Sequence, residues 1–188
     1  MTTPALYRKT MEAFGRQVAA VSDDQWGDPV PCCPDWDVRQ LVAHVTEEAL
    51  WVQPLLTGGA DDDTEERIAQ QVHARHPVAL WDRAAHEAIE AVEDPGALDR
   101  RVQLPEGESS GSEYVAEVFA DTLIHTWDLT RAIGGDGHLD PDAVAACTAW
   151  FDQHEHEWRQ RGAIGDPAPI PEHADAQTRL LARFGRQA

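Results

Sequence analysis

The chain has 188 residues, 42% of them hydrophobic and 26% charged, a length and balance suited to one soluble globular domain with a real core. Its 34 Asp plus Glu against 15 Lys plus Arg give a formal charge of −19. A surface this acidic repels phosphate backbones and anionic headgroups, which argues against nucleic-acid and membrane partners. Lys9 is the single lysine, a bias towards Arg that accompanies GC-rich coding. Charged residues interrupt the amino-terminal segment, so no signal peptide is expected, and no run reaches the roughly 18 apolar residues of a membrane span. Cys32, Cys33 and Cys147 are an odd count with two adjacent, which is no disulfide framework; a reducing cytoplasm is the expected location.

Apolar residues recur at helical spacing almost throughout. A first helix is predicted from Pro4 to about Val21, with Leu6, Met11, Phe14 and Val18 as its core face. The segment DDQWGDPVPCCPDW follows, whose three prolines argue against regular structure. Asp37 with Gln40 three residues on is a capping-box pattern opening a second helix to about Leu56, with Val38, Leu41, Val42, Val45, Val52 and Leu55 inward. A third helical region begins in ADDDTEER, is interrupted by Pro77 and ends at Pro95–Gly96. RRVQLPEGESSGS is a loop with room for a short extended piece at Arg101–Leu104. The fourth and most apolar helix spans about Ser112 to Ile133. Pro141 starts a fifth, to about Arg161, and after the proline-rich GDPAPIPEHAD a short helix covers AQTRLLARFGR. The fold expected is all-α, a single domain over 1–188: an antiparallel four-helix bundle over 1–135 with a C-terminal helical extension over 136–188.

Three acidic residues stand four before a histidine: Asp82/His86, Asp121/His125 and Asp152/His156. Random placement yields about one or two such pairs in this composition, so spacing alone is weak. The first and last lie in charged stripes opposite apolar faces and read as solvated. Asp121 and His125 sit among Val118, Phe119, Leu123, Ile124 and Trp127. Two readings stay open: a polar stripe Glu113–Glu117–Asp121 that His125 extends, or a buried pair that needs a partner or a metal. His44 is the other histidine in a strongly apolar helix, where a hydrogen-bonded structural role is the ordinary one. Bundles nevertheless build metal sites from inward side chains on different helices. His44, Asp121 and His125 together would make two imidazoles and a carboxylate, the donor set of a catalytic zinc site with one open position; iron and nickel also suit it. No HExxH, Walker, GxGxxG or GxSxG pattern is present. Cys32–Cys33 is not a CxxC, and reads as inert. Trp26, Trp36, Trp51 and Trp127 are read first as core, then as pocket lining.

The runs CPDWDVRQLVAHVTEEALW and YVAEVFADTLIHTWDLTRAIG, with the tail PAPIPEHADAQTRLLARFGR, resemble the metal-binding branch of the mycothiol-dependent maleylpyruvate isomerase family, itself one of the DinB-like four-helix bundles. The resemblance covers nearly the whole chain. It implies metal ligation by His44, Asp121 and His125, with catalysis acting through the metal, and Asp121 replaces the Glu of the characterised isomerase. It also implies a short member without that isomerase's longer C-terminal domain, of actinobacterial source. The activity so implied is metal-dependent thiol S-transfer or isomerisation of a small electrophile, with a divalent ion (zinc first, nickel or iron next) and mycothiol as co-substrate. Partners would be that thiol and a small molecule, on a monomer or homodimer. Asp128 or the Trp127 indole is the candidate to orient a ligating side chain. Two rivals remain: metal-assisted hydrolysis with Glu48 as base, and a non-catalytic metal- or small-ligand-binding protein of the same fold.

Overall fold

The computed structural model describes residues 2–31, 33–72, 76–105 and 107–187. Seven α-helices run through these residues: α1 (Pro4–Ala20), α2 (Val38–Thr57), α3 (Thr64–Val72), α4 (Pro77–Glu93), α5 (Gly111–Ala132), α6 (Pro141–Gln160) and α7 (Ala176–Arg183). Two small antiparallel hairpins join them: β1 (Pro29–Val30) with β2 (Cys33–Asp37), and β3 (Arg101–Leu104) with β4 (Gly107–Ser110). The bundle consists of α1, α2, α4 and α5, in which α1 and α2 each pack against both α4 and α5. The mainly α, bundle-type fold expected from the sequence is therefore present.

Helix starts follow local chemistry. The Thr3 hydroxyl accepts from the Leu6 amide at 3.2 Å ahead of Pro4, and the Ser110 hydroxyl accepts from Glu113 at 3.2 Å. Asp37 and Gln40 form the full capping box: the Asp37 carboxylate accepts from the Gln40 amide at 2.8 Å, and the Gln40 side chain accepts from the Asp37 amide at 2.9 Å. That box fixes the entry of α2, and so the place of His44 two turns on. At its other end Gly58, at φ 70°, closes α2 in the left-handed region. Gly111 starts α5 hard against the preceding turn, since a Cβ there would stand 2.4 Å from the Ala97 carbonyl oxygen.

Tyr7, Met11, Phe14 and Val18 from α1, Leu41, Val45 and Leu56 from α2, Trp81 and Ala88 from α4, and Phe119 and Leu129 from α5 are buried together. Burying each large side chain contributes about 1.5–3 kcal/mol. Phe14 meets Trp81 with ring centroids 4.6 Å apart. Beyond the bundle, α6 lies on α5, and α7 lies on α6 through the stacked rings of Phe151 and Phe184, 4.1 Å apart. Arg183 forms ion pairs with Asp152 and Glu155, both at 2.8 Å, and Gln177 bonds the loop ahead of α6 at Gly137. These contacts fix the direction in which the chain leaves α7.

The structure departs from the sequence reading in places. The proline-rich segment before α2 is not without regular structure: it holds a 3-10 turn (Gln25–Gly27) and the β1–β2 hairpin. Its prolines are tolerated because a two-stranded ribbon is all edge. Arg101–Leu104 is extended as expected, but paired with β4. Leu6 and Leu55, expected in the core, are only half-buried, while Tyr7 and Thr10 fill the interior beside Leu6. Asp82, His86, Asp152 and His156 face solvent, as their charged stripes predicted. The adjacent-cysteine reading involves Cys32, and the join of the third helical region falls on 73–75; both lie outside the described residues.

Candidate metal centre

His44 projects from the middle of α2, and Asp121 and His125 from successive turns of α5, where helical spacing stacks them on one face. The three converge. Nε2 of His44 lies 3.4 Å from Oδ2 of Asp121, and Nε2 of His125 lies 3.4 Å from Oδ1 of the same carboxylate. The two imidazoles meet edge to face, ring centroids 5.2 Å apart, and one donor atom from each residue falls within 4.8 Å of the others. Each imidazole thus meets a different oxygen of the carboxylate, at a separation close to the edge of a tetrahedron with centre-to-ligand bonds of about 2.1 Å, the zinc–nitrogen length. Oδ2 of Asp121 is closed off from solvent and makes no hydrogen bond among the described residues. Nε2 of His44 approaches this oxygen at 3.4 Å without closing a hydrogen bond, and a buried carboxylate oxygen left so can take a cation as a further partner. The donor set and this orphaned atom both fit a divalent ion.

Behind the cluster, Nδ1 of His125 stands 2.9 Å from Oδ2 of Asp128, three residues on along the same helix. This contact holds the Nδ1 proton on the Asp128 side, so that the ring, once neutral, presents Nε2 towards Asp121 as a metal ligand does. Asp128 is fully buried, and its charge is met by Arg186 beyond α7: Nη2 donates to Oδ2 at 2.8 Å and Nε to Oδ1 at 3.2 Å. Of the two residues proposed to orient a ligand, Asp128 occupies that place. The Trp127 indole lies instead against Gly137, which a positive φ of 72° and the closeness of that ring restrict to glycine. Cys33, His125 and Asp128 are a second group of nearby donors. There the Arg186 guanidinium already stands 3.8 Å from the Cys33 sulfur and against Asp128, where a cation would sit.

Electrostatics tie the cluster together. Burial opposes charge on Asp121, but the two imidazoles, His125 foremost, outweigh it and hold the carboxyl far below its usual range. Burial likewise opposes protonation of His125, yet Asp121 and then Asp128 push it up to about 9. His44 is raised by Asp121 against the same burial penalty. Glu48, one turn beyond His44, is pushed up to about 7, by burial first and by Asp121 second.

The cluster lies in the wall of a cavity of about 1210 Å³ that also reaches Trp36, Glu48, Trp51, Tyr114, Trp158 and Arg186. Trp36 covers both histidines, its ring 4.9 Å from His44 and 5.8 Å from His125. Trp36 and Trp51 are thus pocket lining, whereas Trp127 is core. Sequence reading missed Arg186 and Trp158, which lie far along the chain from α2 and have no local pattern to reveal them.

Residues 7–130 match the family described as Mycothiol maleylpyruvate isomerase N-terminal domain. The chain belongs to that family. The family match spans the bundle and all three clustered residues. Two curated relatives, the uncharacterized proteins Rv0738 and MT0763 of two Mycobacterium tuberculosis strains, are each 29% identical over 189 residues, covering 96% of this chain and 95% of theirs. Crystal structures of the mycothiol-dependent maleylpyruvate isomerase and of a His-to-Ala mutant of it share the fold, with TM-scores of 0.63 and 0.64. Each is 19% identical and covers 88% of this chain and 77% of the crystallised one. Among the described residues, no helix is long and apolar enough to cross a membrane.

Proposed function

We propose that this protein is a metal-dependent enzyme that uses a low-molecular-weight thiol, of the mycothiol type, to transfer to or isomerise a small electrophile. One observation supports this above all: two imidazoles and a carboxylate converge in a cavity wall with an orphaned carboxylate oxygen between them. His44, Asp121 and His125 would hold a divalent ion, zinc by donor type and spacing, with nickel and iron as alternatives. When bound, such an ion lowers the pKa of a thiol, so that the thiolate form is available near neutrality.

The chain's own residues supply the rest. Asp128, backed by Arg186, holds the His125 ring in one tautomer and orientation. Trp36 shields both imidazoles from water on one side. The cavity has the volume of a small-molecule site and an aromatic wall against which a flat substrate can stack. In the addition step, the sulfur–carbon bond forms as the substrate's conjugated π bond opens, and the proton released by the thiol ends on the adjacent carbon. Expulsion of the thiol after rotation about the resulting single bond completes an isomerisation. The segment after α5 belongs to the same functional unit, because Arg186 reaches back to the site. A reducing cytoplasm, which keeps small thiols reduced, is the setting that fits.

Elemental analysis after dialysis tests the metal, with the wild type expected to retain one equivalent and His44→Ala and His125→Ala to lose it. Mass spectrometry of reactions containing mycothiol and an electrophile library tests the chemistry; no thiol adduct from metal-loaded protein between about pH 6 and 9 would remove the transferase reading. Hydrolysis stays as a second reading because Glu48, with a carboxyl near pH 7, lines the same cavity.

A further inference from the structure

The charge of the cavity lining narrows the substrate. Among the described residues, eight carboxylates face the cavity and two guanidiniums. Both guanidiniums are already committed: Arg186 to the buried Asp128, and Arg161 to Glu117 at 2.9 Å. Of the remaining acids, Asp61 is paired with Arg67 at 2.9 Å. Asp35, Glu47, Glu48, Asp62 and Glu65 form no ion pair among the described residues, and Asp121 meets only imidazoles. A divalent ion at the three-residue cluster would still leave this lining negative.

A second feature is independent of the charge count. Tyr114, 5% exposed, lines the cavity, and its hydroxyl has no hydrogen-bond partner among the described residues; Trp36, Trp51 and Trp158 line the cavity too. Carboxylates and indole faces together are the surroundings that favour an organic cation, through charge and through the ring quadrupole. Away from the three-residue cluster, an anionic group would need a guanidinium or a backbone-amide cradle, and the cavity has no uncommitted guanidinium among its described residues.

We propose that the cavity selects an electrophile carrying an ammonium cation on a flat, largely apolar frame and disfavours dicarboxylates, the charge type of maleylpyruvate. This inference rests on the thiol-transfer reading for the chemistry, but its binding test does not. The probes are three benzalacetones substituted at the para position of the ring by trimethylammonium, hydrogen or carboxylate. They share one conjugated enone and keep the varied charge away from the reacting carbon and the metal cluster. Binding to the metal-loaded full chain is read by quenching of tryptophan fluorescence.

Affinity is expected to rise from carboxylate to hydrogen to trimethylammonium, spanning at least about tenfold at about 20 mM ionic strength and narrowing to about threefold at 0.5 M. The double variant Asp62→Asn/Glu65→Gln, on exposed positions, should narrow the span at low salt. Equal or tighter binding of the carboxylate probe, an unchanged span in the double variant, or no binding of any probe would overturn the proposal. Thiol addition is followed separately. If the charge order holds while metal-loaded protein accelerates addition of mycothiol to none of the three, the substrate-charge inference stands and the transferase reading falls.

Discussion

Oδ2 of Asp128 lies 2.9 Å from Nδ1 of His125, and the same carboxylate is held from its other side by Arg186, 58 residues away. Asp128 therefore links the last residues of the chain to the part of α5 that carries Asp121 and His125. Asp128→Asn keeps the shape and removes the charge that fixes the His125 tautomer. Metal affinity, measured by competition with a chromophoric chelator, should fall about 10–100-fold. Asp128→Ala should also destabilise the fold by about 3–5 kcal/mol in urea unfolding, because it removes one member of a buried ion pair.

His44 separates binding from folding. Its side chain is 32% exposed at the cavity edge, so His44→Ala should change unfolding free energy by no more than about 1 kcal/mol. Bound metal should drop below stoichiometry in the same preparation. Retention of one full equivalent in both His44→Ala and His125→Ala would mean that other residues hold the ion.

In the metal-free protein, His125 is raised to about 9 by Asp121 and Asp128 against burial. A histidine with a raised folded pKa contributes stability that is complete below its unfolded value near 6.5 and disappears as pH rises through about 9. Metal-free protein should therefore lose up to ~3 kcal/mol between these limits. Metal-loaded protein should show the opposite trend over the same range, since ligation requires the deprotonated ring. Thermal melts of the two forms between pH 6 and 9.5 check the crossing slopes.

Glu48 decides between the two reaction classes. If it is a general base for hydrolysis, Glu48→Gln should reduce ester or amide turnover by about 10²–10⁴-fold. For the thiol-transfer reading the same variant should leave adduct formation within about threefold, because Glu48 has no assigned part in that proton's path. Parallel assays on one preparation distinguish these outcomes.

The capping box at the start of α2 offers a test of local structure. Asp37→Ala removes one of two reciprocal hydrogen bonds and should lower stability by about 1 kcal/mol, with the second bond, from the Asp37 amide to Gln40, retained. Chemical denaturation measures it.

Much of this protein was determined locally. Apolar spacing, the Asp37–Gln40 box and the Pro and Gly boundaries specified the helices, because each acts within one or two turns of the chain. The same helical geometry placed Asp121 above His125, and Asp128 three residues further on. Only packing decided that His44 on α2 would meet that pair, since Asp121 is 77 positions and several loops further along the chain. Nothing in sequence spacing encoded the reach of Arg186 to Asp128: it depends on how α6 and α7 stack on the bundle through Phe151 and Phe184. The β1–β2 hairpin was equally hidden, because its proline-rich strands lack the alternation that marks a strand in sequence. Hydrogen bonding and spacing along one helix are short-range, whereas a site shared by α2, α5 and the carboxy-terminal tail exists only once burial has brought those segments together.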